Sequence, residues 1–114
     1  MKIEERELEK GGVVVVLEGE ADLATVPEVQ STIRGMMARK VPHLILDFAA
    51  VTFVNTPIWA VVVEYFQHAN KSKTGFVLSG LTGRVEASFN IVRLGELVQH
   101  YPTLEDALDA YGGN

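Results

Sequence analysis

The side chains of this chain best suited to chemistry are one hydroxyl, two carboxylates and an indole. The hydroxyl is Thr56, in the segment Val54-Asn55-Thr56-Pro57-Ile58-Trp59. Proline pushes the residue before it into extended backbone. That is also the conformation of a helix N-cap, and threonine caps well. The expectation is that Thr56 caps a helix whose first position is Pro57. A phosphoryl group on Thr56 would place about two negative charges at the positive end of that helix. Free backbone N–H groups there would receive them without unfolding the helix. The same charge would repel an acidic partner, or the carboxylates Asp22 and Asp47, which both follow apolar runs. Trp59 falls about 100° round the helix from Ile58. With Val63 it forms an expected outward apolar strip, suited to anchoring a protein partner. Read as structure alone, Thr56 is only a cap and Trp59 packs partly under a neighbouring loop.

Other chemistries have less to build on. Asp22 and Asp47 could meet at one sheet edge as paired carboxylates, but a helix cap and a loop acceptor are the plainer reading. The chain has no cysteine, which removes disulfides, thiolate metal sites and cysteine nucleophiles. Its histidines, His43, His68 and His100, lie far apart without metal-ligand spacing, so neither a metal nor a cofactor is expected. Gly80-Leu81-Thr82-Gly83 is a turn rather than a phosphate cradle, and no nucleophile–base set points to an enzyme. With 10 basic and 15 acidic residues the net charge is −5, which argues against a nucleic-acid partner. The longest apolar run, Ile58 to Val63, is far short of the roughly 18–20 residues that span a bilayer. No export signal opens the chain, so a cytoplasmic location without membrane insertion is the expectation.

The elements that would position these groups alternate along the chain. Its 114 residues make one domain, 1–114. Residues 3–9 carry four glutamates and read as a charged edge strand. Gly11-Gly12 turns into Val13–Leu17, apolar and β-branched on both faces, as in a parallel strand. Asp22 or Thr25 can cap a helix with Pro27 in its first turn and Val26, Val29, Ile33 and Met36 inward. Leu44–Phe48 is a second buried strand, followed by a loop over 49–56 and the helix carrying Ile58, Val61, Tyr65 and Ala69 inward. Phe76–Ser79 is a third buried strand, followed by a helix with Val85, Phe89 and Val92. A very short strand at Leu97-Val98 and a helix capped by Thr103 close the chain. The expected fold is α/β, a four- to five-stranded, mostly parallel mixed sheet with about four helices.

Four segments together resemble the STAS domains, which include bacterial anti-sigma-factor antagonists. Val13 to Asp22 is similar to the family's apolar strand ending in Gly-x-x-Asp. Leu44 to Trp59 is similar to its strand, acidic residue, loop and Asp-Ser-Ser-Gly-Leu helix start. Phe76 to Leu97 resembles its strand, glycine turn and third helix, and 103–108 resembles its closing helix. The resemblance puts the family's phosphorylated serine on Thr56, its preceding Asp on Asn55, its second Ser on Pro57, its Gly on Ile58 and its Leu on Trp59. Asp22 matches the family's acidic residue near that site, and Asp47 the acidic residue that ends the strand. Asn55 removes a carboxylate, Ile58 fills the place of a glycine that lets a partner approach, and Pro57 stiffens the turn.

What the resemblance implies is a non-enzymatic regulator that binds an anti-sigma factor acting as a serine/threonine kinase, switched at Thr56. Ile58, Trp59 and Val63 are the expected partner contacts, and Asp22, Asp47, Asn55 and Pro57 the expected neighbours of the phosphosite. The alternatives are an accessory subunit bound to the ATPase of an ABC-type lipid transporter, and a nucleotide-binding module using Ser79, Gly80 and Gly83.

Overall fold

The computed structural model describes residues 1–112 and forms one five-stranded sheet. β1 (Lys2–Glu7) runs antiparallel to β2 (Val13–Ala21) at one edge. β3 (His43–Val54), β4 (Gly75–Ser79) and β5 (Gln99–Tyr101) follow in spatial order, each parallel to its predecessor. The helices are α1 (Val26–Ala38), α2 (Thr56–Ser72), α3 (Gly83–Ile91) and α4 (Leu104–Tyr111).

Strand periodicity divides the apolar residues between two cores. Val13, Val15 and Leu17 of β2, Leu44, Leu46 and Phe48 of β3, and Phe76 and Leu78 of β4 face one side, where α1, α2 and α3 close the main core. Val14, Ile45 and Val77 face the other side, under Ala107 of α4. Burial on both faces explains why β2 and β3 are continuous apolar runs rather than alternating ones. β1 is the charged edge strand read from the sequence. Its Glu5 pairs with Arg39 after α1 at 2.8 Å, an exposed contact of small energetic weight.

Two elements differ from expectation. Residues 49–54 continue β3 instead of forming a loop: Ala50, Val51, Phe53 and Val54 pair with Glu18, Gly19, Glu20 and Ala21 of β2. The register shifts between Val16 and Glu18 and again between Gly19 and Glu20. Such bulges break the inside–outside alternation that marks a strand, which leaves Ala49 and Ala50 both exposed. The fifth strand is Gln99–Tyr101 rather than Leu97-Val98, and Leu97 is 55% exposed. Val92, expected inward on α3, is 37% exposed and ends the helix as its C-cap.

Local signals set several ends. The Asp22 carboxylate accepts from the Thr25 N–H at 3.2 Å and starts a short 3-10 turn ahead of α1. Thr103 Oγ1 accepts from the Asp106 N–H at 3.1 Å and caps α4. Gly80 has φ +73°, and a Cβ there would lie 2.7 Å from the Ala49 backbone nitrogen, so only glycine fits between β3 and the start of α3.

Candidate functional site

The carboxyl ends of β2 and β3 and the start of α2 meet at one edge of the sheet, where open α/β sheets carry their sites. The Asn55 N–H donates to Ala21 O at 2.8 Å, which joins the end of β2 to the start of α2. Thr56 is exposed, and its Oγ1 has no hydrogen-bond partner among the described residues. Beside it, Glu20, Asp22, Thr52, Phe53 and Arg84 line a cavity of about 340 Å³. Leu23 and Phe53 stand at the same edge with 68% and 40% of their surface exposed.

The start of α2 differs in detail from the expectation. Asn55, not Thr56, holds the N-cap position, with φ −83° and ψ 148°, and its side chain caps nothing. Thr56 is the first helical residue and Pro57 the second. Few backbone donors are free. Pro57 has no N–H, and the Ile58 N–H donates to Asn55 O at 2.9 Å. A phosphate on Thr56 would therefore be met by the helix dipole, the Thr56 N–H and the Asn55 amide rather than by a row of free amides. No acidic residue occupies the first turn of α2, so nothing there opposes an added anion.

The expected partner strip is not on the surface. Ile58 is 0% and Trp59 2% exposed, and both belong to the main core. The Trp59 ring lies between Phe48 and Phe89, each 5.5 Å away between ring centroids. Its indole N–H donates to Ser88 Oγ at 2.7 Å. Two packed aromatic neighbours and a satisfied N–H leave an indole no reason to face water. Val63 is partly buried and also packs against the main core. The exposed apolar residues of this edge are instead Leu23 and Phe53. Neither stands in a periodic pattern, and the loop expected over 49–56 concealed Phe53.

The two carboxylates do not meet. Asp22 follows the end of β2 and lines the cavity near Thr56. Asp47 lies inside β3, paired in register with Val16 and Ser79, roughly 20 Å of strand before Val54. It is 4% exposed and accepts from Ser79 Oγ at 2.7 Å. Asp47 is thus a buried sheet residue, not a neighbour of Thr56. The same bond engages the Ser79 hydroxyl, and Ala49 closes over Gly80. Of the residues expected to cradle a nucleotide, only Gly83 is open. Among the described residues no group of three or more His, Asp or Glu side chains is placed to hold a metal ion.

A model of the STAS domain family matches residues 4–107, and the chain belongs to the STAS family. An anti-sigma factor antagonist from Mycobacterium paratuberculosis superposes with a TM-score of 0.83 at 28% identity, over 96% of this chain and 93% of that one. The anti-sigma factor antagonist SpoIIAA in its unphosphorylated form has a TM-score of 0.82 at 20% identity, over 96% of each chain. The Bacillus cell fate determinant SpoIIAA in the phosphorylated form has a TM-score of 0.76 at 18% identity, over 96% and 99%. The two SpoIIAA structures share the fold. No helix among the described residues is long and apolar enough to cross a membrane.

Proposed function

We propose that this chain is an anti-sigma-factor antagonist of the STAS family, a cytoplasmic, non-enzymatic regulator switched by phosphorylation of Thr56. The observation that carries this reading is the position of Thr56: an exposed hydroxyl without a protein partner, on the first residue of a helix with no side-chain cap. The partner is an anti-sigma factor that is also a serine/threonine kinase and brings the ATP. Thr56 Oγ1 attacks the γ-phosphorus, the new O–P bond forms, the bond to the β-phosphate oxygen breaks, and ADP leaves. The Thr56 hydroxyl proton passes to a base on the kinase.

The reading gives each neighbour a task. Leu23 and Phe53 supply apolar contact in the unmodified state, in place of Ile58 and Trp59. Asp22 and Glu20 carry negative charge on the adjoining cavity wall, and a phosphate on Thr56 adds to it. Charge, not refolding, releases the partner. The likeness to SpoIIAA in both its unphosphorylated and its phosphorylated form supports a fold that tolerates such a charge.

Incubating the purified protein with ATP and lysate of its source cells, then mapping added phosphate by mass spectrometry, tests the modification. Phosphate on Thr56, lost in Thr56→Ala, is the expected result. Phosphate at other sites with Thr56 unmodified would contradict the proposal.

A further inference from the structure

Arg84 is the second residue of α3. It is exposed and makes no ion pair among the described residues. Its side chain lines the hollow of about 340 Å³ beside Thr56, together with Thr52 and Phe53 near the end of β3. It therefore leans from α3 toward the strand end that leads into Thr56. Helix geometry puts the two residues at the same level. α2 and α3 leave the carboxyl ends of the parallel neighbours β3 and β4, and the Trp59–Ser88 bond joins them. Thr56 precedes Trp59 by three residues and Arg84 precedes Ser88 by four, which are rises of about 4.5 and 6 Å from that bond. Packed helices lie about 8–10 Å apart between axes, a gap that a guanidinium and a phosphorylated threonine close from both sides.

The start of α2 leaves a phosphate short of donors. Pro57 has no N–H, and the Ile58 N–H is engaged by Asn55 O, whereas a phosphate brings three strong acceptor oxygens. No carboxylate already holds Arg84. Glu20 and Asp22 line the same hollow without pairing to it, and the Asp22 carboxylate accepts from the Thr25 N–H. Glu86, in the same turn of α3, lines a different hollow with His100 and Tyr101. A dianion attracts a guanidinium more strongly than a carboxylate does, and it is met by two parallel N–H donors. A phosphate fixed covalently within reach needs one such cation rather than an enclosed pocket, because the tether supplies its effective concentration.

We propose that Arg84 receives the phosphate of Thr56, its guanidinium donating to two phosphate oxygens. This rests on Thr56 as the modified residue. The pair gives the switch a second component. In the unmodified protein Arg84 is the one cation among the residues lining the hollow, free to meet an acidic group of the partner. Phosphorylation adds negative charge and occupies that cation in one step.

The test uses the full chain carrying phosphothreonine at position 56, placed there during synthesis by codon-directed incorporation, so that no kinase is involved. Phosphorus NMR follows the second ionisation of the phosphate, ordinarily near pH 6. Glu20 and Asp22 raise that pKa, and the N-termini of α2 and α3 lower it. These act alike in wild type and in Arg84→Gln, so the difference between the two reports Arg84. A pKa lower in wild type by about one pH unit is expected, with Arg84→Lys in between and Tm unchanged in both variants. A difference below about half a pH unit would overturn the proposal. The result is independent of any kinase: Thr56 left unmodified in the lysate experiment removes the proposed function, whereas equal titration in wild type and Arg84→Gln removes this pair alone.

Discussion

The indole N–H of Trp59 donates to Ser88 Oγ at 2.7 Å, joining the first turn of α2 to α3. With Phe48 and Phe89 packed on the same ring, this contact fixes the start of α2 from within. The Thr56 hydroxyl is consequently presented on a rigid mount: the helix turn that carries it is held by core packing while its own side chain faces water.

Truncating that mount is expected to be costly. Trp59→Ala should lower stability by about 3–5 kcal/mol, since it deletes a buried aromatic from the centre of three elements. Ser88→Ala should cost about 1–2 kcal/mol, because it leaves the indole N–H unpaired. Urea unfolding checks both. The outward-facing alternative for Trp59 predicts near-zero change in each, and a red-shifted tryptophan emission that moves when a partner binds.

The Asp47–Ser79 bond should behave asymmetrically. Ser79→Ala leaves a buried carboxylate without its donor and should cost about 1–3 kcal/mol. Asp47→Asn keeps an acceptor for the Ser79 hydroxyl and should cost less than Asp47→Leu, which keeps none. A fall in the denaturation midpoint with unchanged slope is the expected signature.

How far the sequence disclosed this molecule depends on which physical signal each residue carried. Val13–Leu17, Leu44–Phe48 and Phe76–Ser79 were legible as strands, because burial on both faces makes apolar, β-branched runs. Thr103 was legible as a cap and residues 3–9 as a charged edge. The second half of β3 was not, since two register shifts erased its alternation and left Thr52 and Phe53 reading as loop. Trp59 was misplaced for a related reason. A helical wheel gives the angle of a side chain on its own helix, and it contains nothing about α3, whose Ser88 and Phe89 receive this one. Asp47 was drawn toward the site because β3 was read as ending just after it. The helix start at Thr56 was legible through Pro57, although the cap position, expected on Thr56, falls on Asn55.

A pH dependence should arise at the opposite end of the sheet from Thr56. His43 stacks on Tyr111 at 4.8 Å between ring centroids, and burial lowers its pKa below the ordinary 6.5. The folded protein therefore disfavours the charged imidazole. Stability contributed by neutral His43 is full above pH 6.5 and declines as pH falls below it toward the lower folded-state value. His43→Gln should flatten the Tm–pH curve between about pH 5 and 7. A curve as steep in the variant as in wild type would place the dependence elsewhere.

Tyr111 ties α4 to a segment almost the full chain length away. Its hydroxyl accepts from the Gly12 N–H at 3.1 Å and donates to Glu9 O. Tyr111→Phe leaves the Gly12 N–H without a partner and should cost about 1–2 kcal/mol. Amide exchange should accelerate in α4 and at Gly12 before it does in β2 or β3.

The central proposal, that one exposed hydroxyl decides binding, is tested most directly by calorimetry with the proposed partner, an anti-sigma factor with kinase activity, and three proteins: wild type, Thr56→Ala and Thr56→Glu. The account predicts that Thr56→Ala binds within a few-fold of wild type and that Thr56→Glu loses at least about tenfold in affinity, with unchanged Tm in both. Equal affinity in all three, with the fold intact, would contradict it.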